Sequence, residues 1–385
     1  MEANDFENIR PYTDEETVAA MERVSRHPML PVISKYLFPD QPVGSLAQKL
    51  RSISSTDEFQ DKVMIDVVES IIRNTSAGFT FSGTEHLESL AGHRFLAISN
   101  HRDIVLDPAL VQYTMFRQGL PYTEICVGSN LLTSKLIEDL MRSNRMIKVI
   151  RGISARELYL SSQILSKYIR ETITSGKGSV WIAQRAGRTK DGIDVTEQGL
   201  LKMFDMSGTG DFVQNFRELN IVPISISYEY EPCDILKARE VLISRTQKYV
   251  KTENEDLHSI MIGIKQKKGN VHLNFGTPLN DDEICAASLC DKNDRYQLIR
   301  QALDKRIIGG YRLWNTNYIA YDLFNKSFKY AGKYTPEEAD AFKAYTEYQL
   351  DQVEPTLDRD ALRDIFLRIY GNPVLMKEKV EINPA

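Results

Sequence analysis

The sequence predicts an α/β protein, a mainly parallel sheet flanked by helices, with helical extensions at both ends. Three observations carry that prediction. Short apolar runs alternate with helical patterns between about residues 78 and 285, the rhythm of strands joined by crossover helices. The first 77 residues show helical periodicity and no strand-like run. Residues 286–385 are again helical in pattern and acidic.

The N-terminal stretch MEANDFENIRPYTDEE is acidic and lacks an apolar core segment, so no secretory signal is expected. Pro28-Met29-Leu30-Pro31 predicts a break between two helices. In residues 57–73, Phe59, Val63, Ile65, Val67, Val68, Ile71 and Ile72 form a broad apolar stripe with acids opposite, an amphipathic helix. The strand candidates follow: 94–99 (RFLAIS), 124–127, 146–150, 179–183, 221–227 and 271–275. A long helical pattern fills 155–174, and Thr335-Pro336-Glu337-Glu338 reads as a helix start. The predicted division is a helical N-terminal cap (1–77), an α/β domain (78–285) and a helical C-terminal extension (286–385).

Composition narrows the function classes. With a formal net charge of −5 over 385 residues, the chain is not built to coat nucleic acid. Cys126, Cys233, Cys285 and Cys290 form no C-x-x-C pair, and no histidine stands at ligand spacing from them. Neither a metal centre nor a disulfide framework is expected, and a reducing compartment fits. No run of about 18 apolar residues is present, so no spanning helix is expected and any membrane contact is peripheral. The predicted location is cytoplasmic, at the membrane surface. Against the acidic total, residues 142–190 hold eleven Lys or Arg and only Glu157 and Glu171 as acids. That local excess predicts a face for anionic substrates or anionic lipid headgroups.

The segment FLAISNHRDIVLDPAL (95–110) carries the chemistry. An apolar strand runs into Ser99-Asn100-His101, and Asp107-Pro108 opens a helix, with Asp at the N-cap and Pro at the first helical position. A histidine at a strand end beside a carboxylate suits general-base work: the carboxylate holds one ring nitrogen protonated and frees the other. Asp103 is the rival carboxylate, two residues from His101.

This N-H-R…D-P segment resembles the first motif, H-x4-D, of the glycerolipid acyltransferases. Ile147-Lys148-Val149-Ile150-Arg151-Gly152 resembles that family's second block. Residues 181–192 (WIAQRAGRTKDG) resemble the third, and Val222-Pro223-Ile224-Ser225 opens a likeness of the fourth. The strand and F-G-x-P-L of residues 271–279 are similar to the segment that closes the family's domain. Two departures stand out. Five residues separate His101 from Asp107 where the family has four, and Ala186 stands where the family's third block carries Glu.

The resemblance implies an acyltransferase with no metal or organic cofactor. It moves a fatty acyl group from acyl-CoA or acyl-carrier protein to a hydroxyl of glycerol 3-phosphate, its 1-acyl derivative (lysophosphatidate) or a related lipid. His101 is the implied base and Asp107 its partner. Asn100, Arg102, Arg151, Gly187, Arg188, Lys190 and Pro223 are the implied substrate contacts. Arg102 or nearby backbone N–H groups serve the oxyanion, and Arg151, Arg188 and Lys190 the acceptor phosphate. Peripheral contact with an anionic membrane completes the expectation. The alternative is a non-catalytic lipid- or acyl-carrier-binding member of the same fold, suggested by Ala186 and the longer His–Asp spacing. No G-x-S-x-G and no G-x-x-x-x-G-K-[ST] is present, against a hydrolase or nucleotide-phosphate enzyme.

Overall fold

Each of the six predicted strand runs forms a strand in the computed structural model, which describes residues 6–152, 154–252 and 254–382. They are β2 (Leu96–Ser99), β3 (Thr123–Gly128), β4 (Met146–Val149), β5 (Ser179–Ala183), β6 (Val222–Tyr228) and β7 (Gly269–Phe275). A further strand, β1 (Ser76–Ser82), follows the helix Ile65–Thr75 without a break and was not expected. The sheet order is β1-β7-β6-β2-β5-β3-β4. All pairings are parallel except β6 with β7. The fold is thus a mainly parallel α/β sheet flanked by helices, with further helices at both ends.

Alternation along the central strands builds two cores. Leu96, Ile98, Val180 and Ile182 pack on one face with Leu165, Ile169 and Ile173 of the helix Ala155–Thr174. Tyr296, Ile299 and Leu303 of the helix Asp294–Gly309 join the same cluster, so this core continues past residue 285. Phe95, Ala97, Ile125 and Trp181 pack on the other face with Leu110 and Val111 of the helix Leu106–Arg117 and with Ile65, Val68 and Ile71. A sheet covered on both faces is where parallel strands are stable.

The N-terminal helices Asp14–Ser25, Leu30–Leu37 and Ser45–Arg51 form their own cluster around Met21, Leu50 and Phe59. The predicted break falls between the first two, with Pro31 in the first turn of the second. The helix Pro336–Leu350 starts as expected: the Thr335 side chain accepts from the Glu338 N–H, and Glu338 bonds back to Thr335.

Candidate active site

The C-terminal edge of a parallel sheet is where open α/β folds bind ligands. Here β2, β5, β3 and β4 are neighbours, and the residues after all four converge on one cavity of about 400 Å³. His101 and Ile104 come from the β2 end, Gly128 and Asn130 from β3, Arg151 from β4, and Arg185 to Arg188 with Lys190 from β5. The opposite wall is apolar: Leu158, Leu165, Leu200 and Met203, from the helices Ala155–Thr174 and Gln198–Met206. Asp256, at the start of the helix Glu255–Lys265, and its ion-pair partner Lys251 also line the cavity.

His101 is held from behind. Its Nδ1 lies 2.9 Å from Oδ2 of the fully buried Asp107, and its ring edge meets Trp181 at 6.1 Å between centroids. The same Oδ2 accepts the backbone N–H groups of Arg102 (2.6 Å) and Asp103 (2.9 Å). Oδ1 accepts the Tyr228 hydroxyl at 2.8 Å. Burial, and then the neighbouring Asp107, push the Tyr228 phenol well above its usual range, so it remains a donor. A carboxylate so surrounded has one orientation available, and that orientation sets the imidazole ring.

The helix start differs from the expected one. The helix runs from Leu106 with Val105 at the N-cap, so Asp107 lies inside its first turn and Pro108 follows it. The capping work falls to Asp103, whose Oδ1 accepts from the N–H groups of Val105 and Leu106, both at 2.8 Å. The extra residue between His101 and Asp107 is taken up in this capped turn, and Asp107 still reaches the ring. Close packing holds the turn in place. A Cβ at Gly263, on the helix Glu255–Lys265, would meet Asp103 Oδ2 at 2.3 Å.

Three other expectations need correction. Asn100 is fully buried; its amide donates to the Ile226 carbonyl (2.9 Å) and accepts from the Ile226 N–H (2.8 Å), stitching β2 to β6. Arg102 does not line the His101 cavity. Its guanidinium turns into the interior, 2.5 Å from Asp194 and 3.5 Å from Glu231. Pro223 sits buried inside β6, its carbonyl accepting the Gly276 N–H at 2.8 Å, also outside the cavity lining. The Asn100 amide is taken up by β6, and the two terminal nitrogens of Arg102 by Asp194 and Glu231, while its buried Nε has no partner.

Behind the ring the polar groups form a net of hydrogen bonds and ion pairs, with the Nε of Arg102 left unpartnered. Asp194 accepts from Arg102, from the Thr189 hydroxyl and from the Tyr311 hydroxyl. Burial drives its carboxyl up, but Arg102 and these hydrogen bonds outweigh that and hold it below its usual range. Lys237 donates to the Arg102 carbonyl (2.7 Å) and to Glu231 (2.6 Å). Asp194, Tyr228 and Tyr311 were not singled out in the sequence. Tyr228 shares strand parity with Val222, Ile224 and Ile226, a signal that it faces inward; Asp194 and Tyr311 carry none.

In front of the ring, cations lack such partners. The buried Nε of Arg185 and Nη1 of Arg188 have no hydrogen-bond partner. Among the described residues no carboxylate lies within 4 Å of Arg151, Arg185 or Arg188. Lys190 differs, being paired with Glu240. Gly187 lines the cavity with a φ of +79°, a left-handed turn that brings Arg188 round beside His101.

The Acyltransferase family model matches residues 78–227. Dihydroxyacetone phosphate acyltransferase of Bos taurus is 24% identical over 51% of this chain and 28% of its own length. Glycerol-3-phosphate acyltransferase of Pseudomonas syringae pv. tomato is 26% identical over 52% of this chain and 23% of its own. The chain therefore spans about a quarter of the length of these relatives. The solved 1-acyl-sn-glycerophosphate (LPA) acyltransferase of Thermotoga maritima aligns over 74% of this chain and 92% of that one, at 11% identity and a TM-score of 0.39. That value is too low to bear on the fold, which rests on the strand order above. Residues 78–227 thus match the Acyltransferase family, and over about half its length the chain is similar to glycerolipid acyltransferases.

Proposed function

We propose that the protein transfers a fatty acyl group from an acyl thioester, on CoA or acyl-carrier protein, to a hydroxyl of a glycerophosphate or related lipid acceptor. The observation that carries the reading is the position of His101, with Nδ1 fixed by Asp107 at 2.9 Å and the ring lining a cavity that is cationic at one end and apolar along one wall. In this reading Nε2 takes the proton of the acceptor hydroxyl as its oxygen attacks the thioester carbonyl. The carbon–sulfur bond then breaks, and the departing thiolate takes up the proton from the imidazolium. A thioester is an activated donor, so no covalent enzyme intermediate is required.

Arg188, with Arg185 and Arg151, is assigned to anion recognition. A buried guanidinium N–H with no partner is costly to leave unmet and is met by a phosphate oxygen. The names of the two relatives, a dihydroxyacetone phosphate and a glycerol-3-phosphate acyltransferase, support a three-carbon phosphate as acceptor. Ala186 lines the cavity without the expected carboxylate, which keeps other lipid hydroxyls in contention.

Incubation with labelled acyl-CoA, and with labelled acyl-carrier protein, against glycerol 3-phosphate, lysophosphatidate, dihydroxyacetone phosphate and unphosphorylated lipid alcohols tests the reading. The expected result is label in an ester of a phosphate-bearing acceptor. Tight acyl-CoA binding with no turnover on any acceptor would establish the non-catalytic alternative instead.

A further inference from the structure

The helix Ala155–Thr174 begins with a well-formed cap: Ser154 accepts from the Glu157 N–H, and Glu157 bonds back. Yet residues 154–160 are exposed throughout. Within them Leu158 is 48% exposed, Tyr159 56% and Leu160 48%. Three consecutive residues point to different sides of a helix, so these turns are apolar around much of their girth. An exposed helical turn of that kind is stable in water only at a cost, and gains by burial in a second phase.

Position and charge say what that phase is. Leu158 lines the His101 cavity and also a second cavity of about 560 Å³ that adjoins it. The two share Leu158, Ser162, Gly199 and Met203, and Lys202 and Lys292 stand on the rim of the second. Arg151 precedes the exposed turns and Arg156 lies within them, and neither is in an ion pair among the described residues. An exposed apolar turn with the unpaired Arg151 and Arg156 beside it matches an anionic lipid surface, where headgroup phosphates meet the cations and acyl chains the apolar side chains. An acidic carrier protein would answer the cations and leave the apolar turn wet.

We propose that the first two turns of this helix insert into an anionic bilayer and seat the mouth of the His101 cavity on the leaflet. The idea rests on the acyl-transfer reading only for its purpose, which is to pass an acyl chain between cavity and membrane without crossing water.

Vesicle co-sedimentation of the full chain tests it, with phosphatidylcholine vesicles containing about a third phosphatidylglycerol, and neutral vesicles beside them. Tyr159→Ser/Leu160→Ser should lose about tenfold or more in partition to the anionic vesicles. Arg151→Gln/Arg156→Gln should lose a similar factor, and the wild-type chain should lose it as salt rises. Val32→Ser/Tyr36→Ser, on the other exposed apolar stripe in the helix Leu30–Leu37, should bind as wild type. In Tyr159→Trp, the added emission should shift to the blue on mixing with anionic vesicles. Undiminished binding by Tyr159→Ser/Leu160→Ser overturns the proposal, as does loss only in Val32→Ser/Tyr36→Ser. Self-association through Tyr159 and Leu160 in place of vesicle binding does so too. A chain that turns over soluble acceptor but binds no vesicle defeats this proposal alone; one that binds vesicles but never transfers acyl groups defeats the catalytic reading alone.

Discussion

The two sides of the His101 ring are built by opposite rules. Behind it, Asp107, Tyr228, Arg102, Asp194, Glu231 and Lys237 are buried and bonded to one another. In front, the described cations Arg151, Arg185 and Arg188 line an open cavity, with buried N–H groups left unmet. Polar nets rigidify; the unmet N–H of Arg102 is sealed within one, whereas those of Arg185 and Arg188 belong to side chains that line an open cavity. The contrast separates groups that hold the ring from groups that meet a substrate, and each can be broken independently.

The largest effect is expected at the boundary itself. His101→Ala should lower kcat by roughly 10²–10⁴-fold, the range for loss of a general base. The ring is 15% exposed, so the variant should keep its circular dichroism and melting transition. Turnover close to wild type would remove the base from the mechanism. One step behind, Asp107→Asn should cost at least about 10²-fold in kcat, because an amide sets a donor against groups that are themselves donors and unfixes the imidazole. Asp103→Asn keeps the oxygen that caps the turn and should retain most turnover, losing about 1 kcal/mol of stability at most. Equal losses in kcat would mean that Asp103 shares in holding the ring.

How much of this could be read in the chain depends on distance along it. Blocks whose parts lie within a dozen residues were readable: six strands, the His101–Asp107 pair, and the basic loop after β5. The strand SAGFTFS was not, because only Phe79-Thr80-Phe81 favour a strand within it, it follows a helix without a break, and its partner β7 lies about 190 residues away. The cap went to the wrong aspartate since Asp103 and Asp107 both sit before an apolar helical run, and only packing decides which carboxylate turns inward. Asn100 and Arg102 read as substrate contacts because they lie beside the motif, and Pro223 because it stands in the likeness of the fourth block. Their true partners, at Ile226, Asp194 and Gly276, come from elsewhere in the chain. The net behind the ring also takes in Tyr311, and no local pattern announces a phenol over 200 residues downstream.

The rear net also has a pH signature. Beyond Glu231, whose N–H donates to the Tyr370 hydroxyl, lies the fully buried Asp234. It accepts from the hydroxyls of Tyr370 (2.6 Å) and Tyr345 (2.7 Å). Burial outweighs these bonds and lifts its carboxyl from 3.8 to about 6. The folded chain therefore holds a proton that the unfolded chain gives up at lower pH. Its contribution to stability is full below pH 3.8 and is lost as pH rises through about 6. Asp234→Asn removes the titration. The stability of wild type relative to Asp234→Asn should fall by an amount on the order of 3 kcal/mol between pH 4 and pH 7, read by urea unfolding at each pH. A constant difference would mean that Asp234 remains ionised throughout.

The smallest expected effect belongs to the front. Arg188 has a buried N–H with no partner, whereas Lys190, two residues on, is neutralised by Glu240. If unmet charge marks the substrate side, the two should respond differently although both line the cavity. Arg188→Ala should raise the KM for a phosphate-bearing acceptor by roughly tenfold, the worth of one charge-assisted hydrogen bond. It should leave kcat and the donor KM near wild type, because the lost contact is made equally in the ground and transition states. Lys190→Ala should change the acceptor KM by no more than about threefold, since its cation already has an anion and the variant chiefly frees Glu240. Initial-rate measurements varying each substrate in turn distinguish the two. A rise confined to the donor KM in Arg188→Ala would move the cluster from the acceptor to the phosphates of the thioester carrier. An unpaired guanidinium reads any phosphate brought to it, so the identity of the partner is decided by which substrate loses affinity.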